Sequence, residues 1–454
     1  GIHCIIMKEL KSVYFIGMGG ASMIKLALWC KNNGIRTEGS DISTQACARA
    51  HAAGLICNGN HSSDRLKDFE TVVYTSAVQN GNPEFILAKK LNKTLIERTV
   101  FLNYIMQEYL LKIAVSGTHG KSTATGMLGS IFYEAGLFPE VHIGGDTVIP
   151  FNPPTPGCEK KVFITEACEY KKNFLKLLPD ISVILNAECD HPDCYKNDGE
   201  IRAAFLQFAQ NTEDTVIING EDKNCLIMLP KIKKTVTFGF SRGCDYRGEI
   251  LSASEGCAMC FRLYEYGGDA GVFPLNVIGR HNVMNALAAI AAARICGIGL
   301  PSVKQGLKNF KGIKRRLEKT GRLNKIPVIS DYAHHPNEIR ASLAALAGCG
   351  FNKILLVFQP HTFSRLSAYR EDFKKCFSGA DRLILTEVYG ARESGDADLE
   401  GLATEITLNG TSTEVIRDFN KLVDKIKLSA GNFDCIVIMG AGNIDNLIPL
   451  LFDR

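Results

Sequence analysis

Seven consecutive residues, Gly117-Thr118-His119-Gly120-Lys121-Ser122-Thr123, combine the types that phosphate chemistry needs. Small residues let backbone N–H groups approach an anion. A lysine ammonium balances the terminal phosphates, and the Ser122 hydroxyl is a hard donor suited to Mg2+. The stretch follows an apolar run, Leu111 to Val115, and precedes a helical pattern ending near Gly136, so its amides lie at a helix N-terminus. The spacing is not that of the common phosphate-binding loop, because Val115 stands where that loop has its first glycine.

Phosphoryl transfer also needs anionic metal ligands. One apolar run, residues 161–165, leads into Glu166-Ala167-Cys168-Glu169, and another, residues 181–186, leads towards Asp190-His191-Pro192-Asp193. Side chains just past the carboxyl ends of parallel strands meet at the mouth of the sheet. Taken singly, each of these acids suits a solvated loop charge, and His191 a structural or surface residue. Cys168, Cys189, Cys194 and His191 offer a zinc alternative, but the oxygen donors suit Mg2+. Cys257 and Cys260 form a CxxC without a second pair, short of the four ligands of structural zinc. Gly279 opens a helix running to about Ile295, on which Asn282 and Asn285 share a face. Two such amides suit a nucleotide base or ribose, and suit a helix cap and a polar core residue equally well.

These residues need a scaffold of strands that each end in a turn, and the pattern supplies one three times. Apolar runs precede Gly17-Met18-Gly19-Gly20, the 117–123 stretch and Gly440-Ala441-Gly442-Asn443. Helical patterns follow the first two, over about 21–33 and up to Gly136. Further strands are expected at Ile354–Phe358, 382–386 and Cys435–Met439. Short apolar strands alternating with helices define an α/β fold with mostly parallel sheets. Residues 233–275 alternate apolar and polar, which predicts antiparallel strands late in the middle unit. The expected units are 1–109, 110–317 (ending at Lys314-Arg315-Arg316) and 318–454.

The bulk numbers agree with three domains. The chain has 454 residues, 46% of them apolar, so several cores are feasible. A net charge of +4 over that length is weakly basic and does not argue for a nucleic-acid or anionic-membrane partner, and none is expected. No apolar run reaches the roughly 18 residues of a membrane span, and no export signal is evident at the N-terminus. The 16 cysteines are scattered through apparent strands and helices, which suits a reducing, cytoplasmic setting. The expected oligomeric state is monomer or homodimer.

Taken in order, the glycine turns, Glu166-Ala167-Cys168-Glu169-Tyr170, Asp190 to Asp193, Gly279 to Asn285, Arg315-Arg316, Asp331-Tyr332-Ala333-His334-His335-Pro336 and the stretch Phe358 to Arg365 resemble the Mur ligase family over nearly the whole chain. Within that family the resemblance is to the alanine-adding branch. It implies an N-terminal Rossmann-like domain for a UDP-sugar, a central P-loop-type ATPase and a C-terminal Rossmann-like domain for the amino acid. It further implies that ATP phosphorylates the carboxylate of UDP-N-acetylmuramate, and that the amine of L-alanine then displaces phosphate.

The resemblance also assigns residues. Gly117, Thr118, Gly120, Lys121, Ser122 and Thr123 hold phosphates. Ser122, Glu166 and His191 hold Mg2+. Asn282, Asn285 and Arg316 contact ATP, with Asp331 nearby. Gly17, Gly19, Gly20, Ser22, Asp41, Ser76 and Asn80 contact the UDP-sugar, with His119 at the substrate. His334, His335 and Arg365 face the muramyl group and the acceptor, where a guanidinium at Arg365 would grip a carboxylate. By spacing alone, Arg365 suits a surface loop and His334-His335 a capped turn before Pro336. Gly17 to Gly20 with Asp41 also resembles a dinucleotide fingerprint, but Ser22 stands where both that motif and the family often carry glycine. That hydroxyl either adds a contact near the UDP diphosphate or narrows the turn.

Overall fold

The computed structural model describes residues 10–59, 63–75, 78, 81–144, 159–188, 194–251, 259–391 and 393–452. They fold as three α/β domains, each built on its own sheet. The N-terminal sheet is fully parallel. Its strands lie in the order Ile56–Asn58, Arg36–Ser40, Ser12–Ile16, Thr71–Tyr74, Thr94–Glu97.

In the central sheet, Leu111–Ser116 lies between Val162–Ala167 and Ile181–Ile184, all parallel, with Glu140–His142 at one edge. Thr215–Asn219 and Thr235–Gly239 extend it on the other side, still parallel. Tyr246–Leu251, Met259–Glu265 and Gly268–Leu275 complete it as an antiparallel ribbon. The antiparallel expectation for residues 233–275 thus holds from Tyr246 onward and fails for Thr235–Gly239. There the alternation has another cause: Val236 and Phe238 are buried while Thr235 and Thr237 stay partly exposed. A parallel strand near the flank of its sheet can show the same period as an antiparallel one.

The third sheet runs Glu318–Leu323, Ile326–Asp331, Cys435–Met439, Ile354–Phe358, Arg382–Leu385, Ser412–Val415. Only its first pairing is antiparallel. The strands Ile354–Phe358 and Cys435–Met439 are buried at every residue, as expected for parallel strands covered by helices on both faces. Among the described residues, no helix is long and apolar enough to cross a membrane.

The helix after the phosphate turn, Lys121–Glu134, is anchored by close backbone approach. Arg280–Ile295 and Leu300–Asn309 pack on it, and Ser130 Oγ donates to the Gly306 carbonyl at 2.8 Å. A Cβ on Gly306 would stand 2.5 Å from the Ile131 Cα, so helix backbone, not a flexible side chain, would have to move. Gly306→Ala is expected to destabilise the protein by about 1–3 kcal/mol through overpacking. Urea unfolding checks this, and an unchanged midpoint would contradict the packing described.

Candidate active site

The motif residues converge because each follows the carboxyl end of a strand. Gly17 follows Ser12–Ile16, Gly117 follows Leu111–Ser116, Gly440 follows Cys435–Met439, and Asp331 ends Ile326–Asp331. In the central domain, Gly120 is the left-handed residue (φ +84°) that starts the helix, and a Cβ there would collide with Asn285 Oδ1. Only glycine brings the turn this close to Asn285.

The turn is tied to the next strand end. Thr118 Oγ1 donates to the Glu188 carbonyl (2.8 Å) and accepts from its N–H (2.9 Å). The Asn186 amide brackets the His119 backbone at 2.8 and 3.1 Å. Lys121 Nζ reaches Glu169 Oε2 at 2.9 Å and the carbonyls of Gly117 and Thr118 at 2.5 and 3.1 Å. Burial works against the Lys121 ammonium, but the adjacent Glu169 carboxylate outweighs it and holds the lysine above its ordinary pKa. Lys121 is therefore a fixed cation beside the helix N-terminus.

Ser122 borders two cavities. One, about 920 Å3, is lined by the 118–123 turn, Asn282, Asn285, Arg316, Asp331 and Glu338, among others. Its far end is apolar, with Phe240 under the Arg280 guanidinium at 3.8 Å. The other, about 1260 Å3, lies between the domains and contains Glu166, His334, His361 and Arg365. Glu166 Oε1 is buried with no hydrogen-bond partner among the described residues. A buried carboxylate oxygen left open, with a serine hydroxyl at the same cavity, fits a hard divalent cation such as Mg2+. Among the described residues no group of three His, Cys, Asp or Glu side chains is arranged to hold a metal. His191, Cys189, Cys257, Ser76 and Asn80 lie outside the described residues.

The third domain reaches the first of these cavities through Glu338, on helix Pro336–Gly348. Its carboxylate meets His119 Nδ1 at 3.3 Å and Arg316 Nη1 at 3.6 Å, and accepts from the His334 and His335 amides at 3.1 and 3.4 Å. Burial opposes its ionisation. The facing His334, His119 and Arg316 outweigh this and hold its pKa well below the ordinary value. Asn337 adds a bond to Glu188 across the same seam, at 3.3 Å. Asp331 is buried and pushed up to about 6, chiefly by burial, with Ser342 donating to it.

The two adjacent arginines divide their work. Arg315 pairs with Asp445 and donates to the Gly440 and Gly442 carbonyls at 2.6 and 3.1 Å, clamping the third glycine turn. Arg316 borders both cavities. In the interdomain cavity, Arg365 Nη1 lies 3.0 Å from His361 Nδ1, and no ion pair compensates its charge among the described residues. Burial, with His334 and Arg365 adding, lowers His361 to about 4, and burial also lowers His334. Both imidazoles are neutral at pH 7. Thr362, which caps the helix carrying Arg365, holds φ at +64°, a strained geometry for a β-branched residue.

Several expected residues take other parts. His335 caps helix Pro336–Gly348, its Nδ1 accepting from Asn337 N–H at 3.3 Å and its ring packing on Tyr369, and it lines neither cavity. Asp41 accepts from the Gly19 N–H at 3.0 Å and from Ser43 N–H at 3.0 Å, so it shapes the first turn. The Ser40 carbonyl receives the amides of Gly17 and Met18. Asn282 donates to the Ile278 carbonyl and Asn285 to Asn282, so the pair braces the helix start as well as facing the nucleotide-sized cavity. The Ser22 hydroxyl bonds Arg98 and His142. The sequence analysis assigns no role to Glu338, Glu169, Asn186 or His361. Glu169 and His361 stand inside quoted motifs, and Glu338 has a local signal, an acid three residues after a helix cap.

A glycine turn with a fixed lysine and an open carboxylate in the central domain, faced by the Arg365 guanidinium of the C-terminal domain, is the arrangement of an ATP-dependent ligase. Comparison with known proteins agrees. Residues 12–110 match the profile described as Mur ligase family, catalytic domain, residues 115–293 the Mur ligase middle domain, and residues 315–442 the Mur ligase, glutamate ligase domain. The chain belongs to the Mur ligase family.

It is 38% identical over 444 residues to the UDP-N-acetylmuramate–L-alanine ligase of Acetivibrio thermocellus, covering 96% of this chain and 94% of that one. It is 37% identical over 440 residues to the ligase of the same name from Clostridium novyi, covering 96% and 95%. Among solved structures, the UDP-N-acetylmuramate-alanine ligase of Thermotoga maritima is similar with a TM-score of 0.81 and 28% identity, over 97% of this chain and 98% of that one. A murein peptide ligase from Psychrobacter arcticus shares the fold, with a TM-score of 0.68 and 23% identity over 97% and 98%.

Glu338→Ala is expected to cost roughly 1.5–3 kcal/mol, since it removes the charged acceptor of the His334 and His335 amides and the partner of Arg316 and His119. Denaturant unfolding measures it. A loss within the ~0.5 kcal/mol of an ordinary surface change would contradict the seam as described.

Proposed function

We propose that the protein joins L-alanine to the carboxyl group of UDP-N-acetylmuramate, converting ATP to ADP and phosphate. The observation that carries this reading is Arg365. Among the described residues it has no ion-pair partner, and its cavity also holds Ser122 and Glu166. Such a cavity suits a zwitterionic acceptor whose carboxylate binds the guanidinium while its amine points towards a phosphorylated acyl group. The relatives named for the alanine reaction support the choice of substrates.

In this reading the N-terminal domain, residues 1–109, takes the UDP-sugar on Gly17, Gly19 and Gly20, with Asp41 shaping the turn and Ser76 and Asn80 as the further contacts that the resemblance implies. The central domain, residues 110–317, takes ATP. Gly117, Thr118, Gly120 and Thr123 present backbone and hydroxyl groups to the phosphates, and Asn282, Asn285 and Arg316 face the nucleoside side. Ser122, Glu166 and His191 would hold Mg2+, which neutralises phosphate charge when bound. The C-terminal domain, residues 318–454, takes the amino acid. The free cysteines among the described residues support a reducing, cytoplasmic setting.

The chain's own groups then account for the steps. Lys121 offsets charge on the phosphoryl group as a muramyl carboxylate oxygen bonds to the terminal phosphorus and ADP leaves. Arg365 orients L-alanine so that its nitrogen attacks the acyl carbon. The tetrahedral adduct expels phosphate and leaves the amide. Neutral His334, at the same cavity, is able to take the amine proton. Asp331 and His119 hold the nucleotide and substrate walls together around the reacting groups.

Product analysis with ATP, UDP-N-acetylmuramate and L-alanine, glycine, L-serine or a peptide tests the reading. The expected result is amide formation with L-alanine, lowered by about 10²–10³ in Lys121→Ala. Undiminished turnover in that variant, or ligation of the peptide alone, would overturn it. Arg365→Ala and Arg365→Lys should both raise the KM for L-alanine roughly 10- to 150-fold, because lysine lacks the planar fork. The KM for ATP should stay unchanged in both. A shift in the ATP constant alone would move Arg365 to the nucleotide side.

A further inference from the structure

Ser22 stands where a glycine closes the first turn in the patterns this turn resembles, and its hydroxyl is fully engaged. Arg98 Nη1 donates to Ser22 Oγ at 3.0 Å, and Ser22 Oγ lies 2.8 Å from His142 Nε2. His142 belongs to the central domain and is buried. Burial, with Lys25 and Arg98 adding, keeps its ring neutral. With Arg98 occupying a lone pair of the hydroxyl, the Ser22 proton is free to go to Nε2. A second bond runs alongside: Lys25 Nζ donates to the Ile143 carbonyl at 2.6 Å.

The strand carrying His142 is parallel to Val162–Ala167, with His142 in register with Thr165, one residue before Glu166. Two residues past His142, a Cβ on Gly144 would stand 3.3 Å from Glu166 Oε2. The helix that begins at the first glycine turn is thus bonded to the edge strand that abuts the open carboxylate.

We propose that Ser22 is a positioning residue, whose bond to His142 sets the glycine turn of the N-terminal domain against the Glu166 side of the central domain. The inference rests on the reading of that turn as the UDP-sugar site. It adds that delivery of the sugar carboxylate depends on a bond which a glycine at position 22 could not make. Ser22→Ala leaves a buried imidazole nitrogen and a guanidinium N–H without this partner. His142→Phe keeps an aromatic ring and removes the acceptor.

Two readouts test it. The first needs no substrate: amide hydrogen exchange at Ile143 and Gly144 should quicken in Ser22→Ala, and unchanged exchange there would overturn the inference whatever the protein ligates. The second uses turnover. In Ser22→Ala and in His142→Phe, kcat/KM for UDP-N-acetylmuramate should fall roughly 10-fold, with the KM for L-alanine unchanged. The double variant should be no worse than either single one, because both remove the same bond. Ser22→Thr, which keeps the hydroxyl, should restore most of the rate. Effects that multiply in the double variant, a loss shared equally by L-alanine, or no rescue by threonine would overturn the proposal. If the wild-type protein ligates neither substrate, the functional reading fails, and the exchange result still decides the role of Ser22.

Discussion

One largely enclosed carboxylate organises this site. Glu338 keeps little of its water, and a charge so placed is tolerated only when opposite charges and hydrogen bonds replace what it loses. Its partners come from two domains: His119 from the phosphate turn, Arg316 from the connection between domains, and the amides of His334 and His335 from its own helix start. No single domain can satisfy it. The central and C-terminal domains are therefore drawn to one relative placement, and that placement leaves two cavities sharing Ser122 and Arg316 as common wall.

The rest of the arrangement follows from strand direction. Parallel strands gather their carboxyl ends at one rim, and each sheet offers that rim to the same cleft. The phosphate turn is pre-set: Asn186 and Glu188 fix its backbone, and Glu169 fixes Lys121. Little reorganisation is left for the moment of reaction, which is where fixed charge is most effective. The acceptor side is built in the opposite sense. Arg365 lies beside the neutral His361 ring, and among the described residues no carboxylate is ion-paired with it.

Much of this was legible in the sequence, because its signals are local. The strands before each glycine turn, the helix Arg280–Ile295 and the apolar strands Ile354–Phe358 and Cys435–Met439 follow from runs and turn residues within a few positions. Lys121, Ser122, Glu166, Arg316 and Arg365 were readable as motif members, and all border the two cavities. What was not legible depends on contacts far apart in the chain. His119 and Glu338 are separated by 219 residues, and no spacing rule joins them. Glu338 had only the signature of a capping box, masked by a histidine at the cap position where serine or threonine is usual. Asp41 and His335 are substrate contacts by the resemblance, and Asp41 also by its spacing from the first glycine turn. Here their nearest unsatisfied partners are backbone amides, and those claim them first.

The central claim is that this cleft activates a carboxylate by phosphorylation before an amine attacks it. Isotope transfer tests that most directly. UDP-N-acetylmuramate labelled with heavy oxygen in its carboxyl group is incubated with the protein, ATP and L-alanine, and the inorganic phosphate released is weighed by mass spectrometry. An acyl phosphate requires one carboxyl oxygen to leave with the phosphate, so the account predicts phosphate carrying one heavy oxygen for each amide formed. Amide formed with wholly unlabelled phosphate would contradict it.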